Sequence, residues 1–92
     1  MSTPTLPGRW ELHPQVALRP EPFGALAYHY GNRRLTFLRS PELVELVRTL
    51  GDHDSIDDAL HRSGVADRRW PAFRSALASL VDGDMLVPKA AA

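Results

Sequence analysis

The chain has 92 residues, a formal net charge of zero, 43% hydrophobic residues and no cysteine. That length supports one domain with a modest core, and the apolar fraction excludes a disordered chain. The missing thiols exclude a disulfide framework, a thiolate metal site, a cysteine nucleophile and the usual ligation of an iron–sulfur cluster.

Taken in chain order, residues 1–9 show no periodicity and read as a flexible arm. They lack the apolar run of a signal peptide, and no later segment reaches membrane-spanning length, so the expected location is the cytoplasm. Trp10 and Leu12 are apolar without an element of their own, and Trp10 is expected to cover an end of the core. Val16–Arg19 alternates as a short strand that Pro20 and Pro22 end. Two apolar runs follow, Gly24–Tyr30 and Arg34–Leu38, separated by Gly31-Asn32, a dipeptide suited to a tight hairpin turn. With that turn, Tyr28 lies opposite Leu35 and Leu26 opposite Phe37. Alternation then puts Leu26, Tyr28, Tyr30, Leu35 and Phe37 on one face, and Ala25, Ala27, His29, Arg34, Thr36 and Leu38 on the other. The bulkier Leu26/Tyr28/Phe37 face is the one expected beneath the helices.

Ser40-Pro41-Glu42 opens a helix with an N-cap, a proline at the first position and an acid facing the positive end of the dipole. Leu43, Leu46, Val47 and Leu50 form its apolar stripe, and Gly51 is expected to stop it. Ser55-Ile56-Asp57-Asp58 begins a short second helix ending near Gly64. A third starts between Asp67 and Pro71 and carries Trp70, Phe73, Leu77, Leu80 and Val81 at helical spacing. Asp82-Gly83-Asp84 breaks it, Met85-Leu86-Val87 fits a short final strand, and residues 89–92 read as a frayed tail. The expected architecture is therefore α+β and winged-helix-like, a three-stranded antiparallel sheet followed by three helices, within a single domain spanning residues 10–88.

Chemistry-bearing patterns are sparse. His13, His29, His53 and His61 show no metal-ligand spacing, and no glycine-rich phosphate loop is present. Ser55, Asp57 and His61 are close in sequence but are better explained by capping and solvent exposure than by a hydrolytic triad. A small winged-helix DNA-binding regulator is the alternative reading, because the third helix carries Arg68, Arg69 and Arg74. Zero net charge and the acidic run Asp52, Asp54, Asp57 and Asp58 oppose it. More informative is Arg34–Leu38. Nothing after it resembles another long strand, so it is expected at a sheet edge, where free backbone groups can accept a guest strand.

The run VALRPEPFGALAYHYGNRRLTFLRSPEL, with Trp10 before it and Gly64-Val65, Ala76-Leu77, Leu80 and Met85-Leu86 after it, resembles the peptide chaperone family of mycofactocin biosynthesis. More distantly it is similar to the peptide chaperones of pyrroloquinoline quinone biosynthesis and to other recognition elements for ribosomally made, modified peptides. The specific part is Leu18-Arg19-Pro20-Glu21-Pro22-Phe23-Gly24. The resemblance implies a non-enzymatic adaptor with no cofactor of its own and no nucleic-acid or membrane partner. It implies that the protein binds the leader of a precursor peptide and presents it to a radical S-adenosylmethionine maturase. It further implies that the leader docks as an added strand along Arg34, Leu35, Thr36, Phe37 and Leu38, facing Arg69, Phe73, Arg74 and Leu77. Read from the residues alone, Phe73 and Leu77 fit plain core better than a groove wall, because any third helix must pack on the sheet, and Arg33 and Arg34 beside the turn fit a solvated surface.

Overall fold

The computed structural model describes residues 8–89. The expected arm and tail lie outside them except for Gly8, Arg9 and Lys89. Five strands and three α-helices follow in the order β1 (Trp10–Leu12), β2 (Val16–Glu21), β3 (Gly24–His29), β4 (Leu35–Leu38), α1 (Pro41–Thr49), α2 (Ile56–Arg62), α3 (Trp70–Asp82) and β5 (Leu86–Pro88). Short 3₁₀ turns cover Leu50–Asp52 and Asp67–Arg69. The strands make two antiparallel sheets, a ribbon of β1 with β5 and a three-stranded sheet ordered β2-β3-β4. The fold class is α+β, as the element order implies.

The hairpin register is the expected one, with Tyr28 opposite Leu35 and Leu26 opposite Phe37. Its turn is wider than two residues. His29 N–H donates to the Arg34 carbonyl at 3.0 Å and Arg33 N–H donates to the His29 carbonyl at 2.8 Å, leaving a four-residue loop, Tyr30 to Arg33, between the last bonded pair. The left-handed residue in it is Arg33, at φ 63°, rather than Gly31. Gly31 is needed for a different reason: a Cβ there would stand 2.3 Å from Gln15 Oε1 and 2.8 Å from the His29 ring. Strand β2 also runs farther than expected, through Pro20 to Glu21. It is an edge strand, so a residue without an N–H fits its outer row.

The two faces of the sheet partition as the alternation requires, but the covered face is the opposite of the expected one. Ala25, Ala27, His29 and Leu38 are buried beneath the helices, whereas Leu35 and Phe37 are 53% and 51% exposed. Small side chains on β3 let α1 lie close against it. The bulk of the core then comes from the helices, through Leu46, Val47, Ile56, Leu60, Phe73, Leu77 and Leu80.

Helix α1 begins as its sequence demands, with Ser40 Oγ accepting the Leu43 N–H at 3.0 Å and Pro41 in the first turn. Ser55 caps α2 in the same way through the Asp58 N–H at 2.9 Å. Gly51 does not end the first helical stretch; the chain tightens into the 3₁₀ turn Leu50–Asp52. The β1–β5 ribbon, which gives Trp10 and Leu12 an element, packs against this turn and α1. Trp10 lies half-buried against the core.

Candidate peptide-binding edge

Strand β4 is at one free edge of the three-stranded sheet. In an antiparallel pair, residues that exchange backbone hydrogen bonds alternate with residues that do not. The bonded pair His29–Arg34 sets the phase, so Thr36 and Leu38 turn their backbone groups toward β3. Leu35 and Phe37 turn their N–H and C=O groups outward, where a guest strand can take them up. No proline interrupts residues 34–40. The other free edge, β2, differs on this point. Tyr30 N–H donates to the Gln15 carbonyl at 2.9 Å, which by the same alternation puts Val16, Leu18 and Pro20 in the outward row. Pro20 has no N–H to offer, so that edge is blunted.

The residues expected to form the site fall into three groups. Arg34, Leu35 and Phe37 are exposed along β4, with the Arg34 N–H held by Asn32 Oδ1 at 2.9 Å. Thr36 shares the helix-facing side with Leu38 yet is only half-buried, so the helices leave β4 partly uncovered there. Leu38, Phe73 and Leu77 are 1%, 6% and 0% exposed and belong to one core cluster, which makes them the support of the edge.

Arg69 and Arg74 form the third group, and both already hold acids. Arg69 donates to both carboxylate oxygens of Glu42 on α1 at 2.7 and 3.1 Å, and its guanidinium lies 5.2 Å from the Phe73 ring centre. That bidentate bond holds the Glu42 carboxyl below the ordinary glutamate value. Arg74 pairs with Asp57 on α2 and lies 5.4 Å from the Trp70 ring centre. Trp70 in turn donates its indole N–H to the Val65 carbonyl at 2.9 Å, fixing the start of α3. Arg62 is likewise bound, to Asp58 at 2.9 Å. The arginines on the sheet side contrast with these. Among the described residues no carboxylate pairs with Arg33, Arg34 or Arg39. Unneutralised positive charge therefore stands at both ends of β4.

Asp57 is occupied by Arg74 and His61 is exposed, so Ser55, Asp57 and His61 make no catalytic arrangement. A histidine cluster does form, from residues whose sequence spacing gave no sign of it. The rings of His13 and His29 lie 4.4 Å apart, and their Nε2 atoms are 3.8 and 3.5 Å from Asp84 Oδ2. His13 sits in the link before β2, His29 at the end of β3 and Asp84 beyond α3, so only the tertiary fold brings them together. In His13, Nδ1 accepts the Gln15 N–H at 3.0 Å; in His29, Nδ1 accepts the Gly31 and Asn32 N–H groups at 3.0 and 3.1 Å. Each neutral ring therefore carries its proton on Nε2, the atom turned toward Asp84. A metal there would have to displace those protons while backbone donors occupy the other nitrogen, a poor donor set for a cation. With Asn32 Nδ2 donating to the Gly83 carbonyl at 3.1 Å, the cluster ties the hairpin loop to the end of α3. No helix among the described residues is long and apolar enough to cross a membrane.

The model of the peptide chaperone MftB family matches residues 9–87. The peptide chaperone MftB of Mycolicibacterium smegmatis is 52% identical over 79 residues, which cover 86% of this chain and 78% of that protein. The peptide chaperone MftB of Mycobacterium tuberculosis is 48% identical over 80 residues, 87% of this chain and 73% of its own. That of Mycobacterium ulcerans is 46% identical over 82 residues, 89% and 75% respectively. No solved structure matches the chain. A match across nearly the whole described domain, together with relatives at about half identity, establishes that this chain belongs to the peptide chaperone MftB family.

Proposed function

We propose that this protein binds the leader of the mycofactocin precursor peptide as an added strand along β4 and delivers it to a radical S-adenosylmethionine maturase. The observation that carries this reading is the contrast between the two edges of one sheet. The β4 edge offers the outward backbone groups of Leu35 and Phe37 without interruption, while Pro20 interrupts the β2 edge. Strand addition draws affinity from such a row and selectivity from alternate side chains. Leu35 and Phe37 flank one side of the guest, half-buried Thr36 and the Arg69–Phe73 end of α3 the other. Arg34 and Arg39, at the ends of β4, attract a leader that carries acids.

The protein's part in the reaction is delivery. Its relatives are named peptide chaperones, and Glu42, Asp57 and Asp58 are taken up in ion pairs. Linking two weak contacts raises the concentration of the peptide's reacting end near the enzyme.

The test separates the backbone from the ring. In titration calorimetry with the leader peptide, Phe37→Ala removes the aromatic ring and keeps the outward N–H, whereas Phe37→Pro removes both. Phe37→Pro is expected to weaken binding by a further tenfold or so beyond Phe37→Ala, the order of about 1–1.5 kcal/mol for a lost hydrogen bond. Equal affinities for the two variants, both folded by circular dichroism, would place the peptide elsewhere.

A further inference from the structure

Among the described residues no helix covers the outer face of the β2–β3–β4 sheet. Leu26, Tyr28, Tyr30, Leu35 and Phe37 lie on this face by alternation, and Phe23, from the β2–β3 turn, joins them with its ring centre 5.8 Å from that of Phe37. Phe23, Tyr30, Leu35 and Phe37 are 41%, 65%, 53% and 51% exposed. Contiguous apolar surface of this kind is uncommon on a protein that acts alone and marks an interaction site. One corner is concave, a cleft of about 510 Å³ lined by Phe23, Phe37 and Arg39. The corner is fixed by Gly24, at φ +151°, where a Cβ would stand 2.1 Å from the Leu38 carbonyl oxygen. Arg39 lies with its guanidinium 6.0 Å from the Phe37 ring centre. The face has an acid at Glu21, which holds Arg19 at 3.3 Å, so the charge left over around it is positive.

Resting on the delivery reading above, we propose that this face is where the modifying enzyme docks, and that the enzyme presents to it an apolar protrusion ringed by carboxylates. Two other occupants fit less well. A second copy related by a two-fold axis would set the same arginine-bearing rim against itself. A guest strand on β4 reaches the Leu35–Phe37 row, but Leu26 and Tyr28 lie on the next strand inward, about 4.8 Å farther from the edge. Covering the whole face takes a folded partner. Such a partner would lie directly beside the peptide edge, so a leader bound there emerges next to the enzyme that acts on it.

Two variants test this, neither in the proposed peptide row nor among the arginines that attract the leader: Phe23→Ser and Tyr28→Ala. For each, affinity is measured separately for the leader peptide and for the mycofactocin radical S-adenosylmethionine maturase. Each variant is expected to weaken enzyme binding by about tenfold or more, as truncation of an interface anchor does, with leader affinity within about twofold of the parent. Enzyme binding within about twofold of the parent for both variants overturns the proposal. So does parallel loss of leader and enzyme, which would make the face part of the peptide site, and so does a parent dimer that both variants dissolve in sedimentation. Should Phe23→Ser fail to fold, Tyr28→Ala decides alone. A parent that binds the enzyme through this face yet binds no leader would end the delivery reading and leave the docking surface standing.

Discussion

The inner and outer faces of one small sheet are built on opposite rules. The inner face is alanine-rich, with Ala25 and Ala27 each 1% exposed, and its helices supply the bulk. The outer face carries the aromatic rings and leaves them half in water. The difference teaches that side-chain size on a strand does not say which face is covered. A face of small residues admits a helix closely, and a face of large residues left open has the character of an interaction surface. The arginines divide in the same way. Arg69, Arg74 and Arg62 are bound to Glu42, Asp57 and Asp58, and those flanking β4 hold no carboxylate among the described residues.

The largest expected effect breaks the face comparison on a single strand. Leu38 and Leu35 are the same residue type on β4, three positions apart, 1% and 53% exposed. Leu38→Ala opens a cavity in the core and is expected to cost about 2–5 kcal/mol. Leu35→Ala, away from the core, is expected to stay within about 0.5 kcal/mol. Urea denaturation of both variants measures the difference. Similar midpoints for the two would mean that the outer face is buried after all.

How much of this was legible beforehand follows from the range of the forces involved. Alternation is local, so the partition of faces and the pairing of Tyr28 with Leu35 could be read from the hairpin alone. Capping is local too, and Ser40 and Ser55 sit where their sequences put them. Which face is covered depends on how closely α1 approaches, and a preference for burying the largest residues chose wrongly. The β1–β5 ribbon joins three-residue strands from opposite ends of the domain, too short for any period to show. The meeting of His13, His29 and Asp84 likewise depends on three separate loops. The β4 edge was legible because no other long strand followed it. The loss of Arg69 and Arg74 to internal ion pairs was not, because Glu42 and Asp57 lie on other helices.

A smaller effect sharpens the comparison of arginines. Since Arg69 and Arg74 are already neutralised, the steering of an acidic leader falls mainly to Arg34 and Arg39. Arg34→Gln is expected to slow leader association several-fold, on the order of 3-fold at low salt, with little change in dissociation. The double variant Arg69→Gln/Glu42→Gln, which removes both members of one pair and leaves the net charge unchanged, should change the association rate less than Arg34→Gln alone. Stopped-flow measurements at two salt concentrations compare them. A larger kinetic loss from the double variant would show that this helix-side pair opens to receive the peptide.

The smallest expected effect concerns those pairs themselves. Hydrogen bonds from Arg69, Arg48 and Arg62 are the main cause that holds the carboxyls of Glu42, Glu45 and Asp58 below their ordinary values. A carboxyl lowered in the folded state binds fewer protons there than in the unfolded chain. The stability it contributes is therefore fully present above the ordinary carboxylate range and is lost as pH falls through the lowered values. The pairs are solvent-exposed, so salt screens them and each contributes little. Together they should still give a measurable slope between pH 5 and pH 3, about the window in which carboxylates titrate. The combined variant Glu42→Gln/Glu45→Gln/Asp58→Asn is expected to lose less stability across that window than the parent, the two converging at the acid end. Urea midpoints taken at half-unit steps would show it. Identical slopes would mean that these bonds form equally in the unfolded chain, and that what distinguishes the helix-side arginines from those flanking β4 is only their availability to a partner.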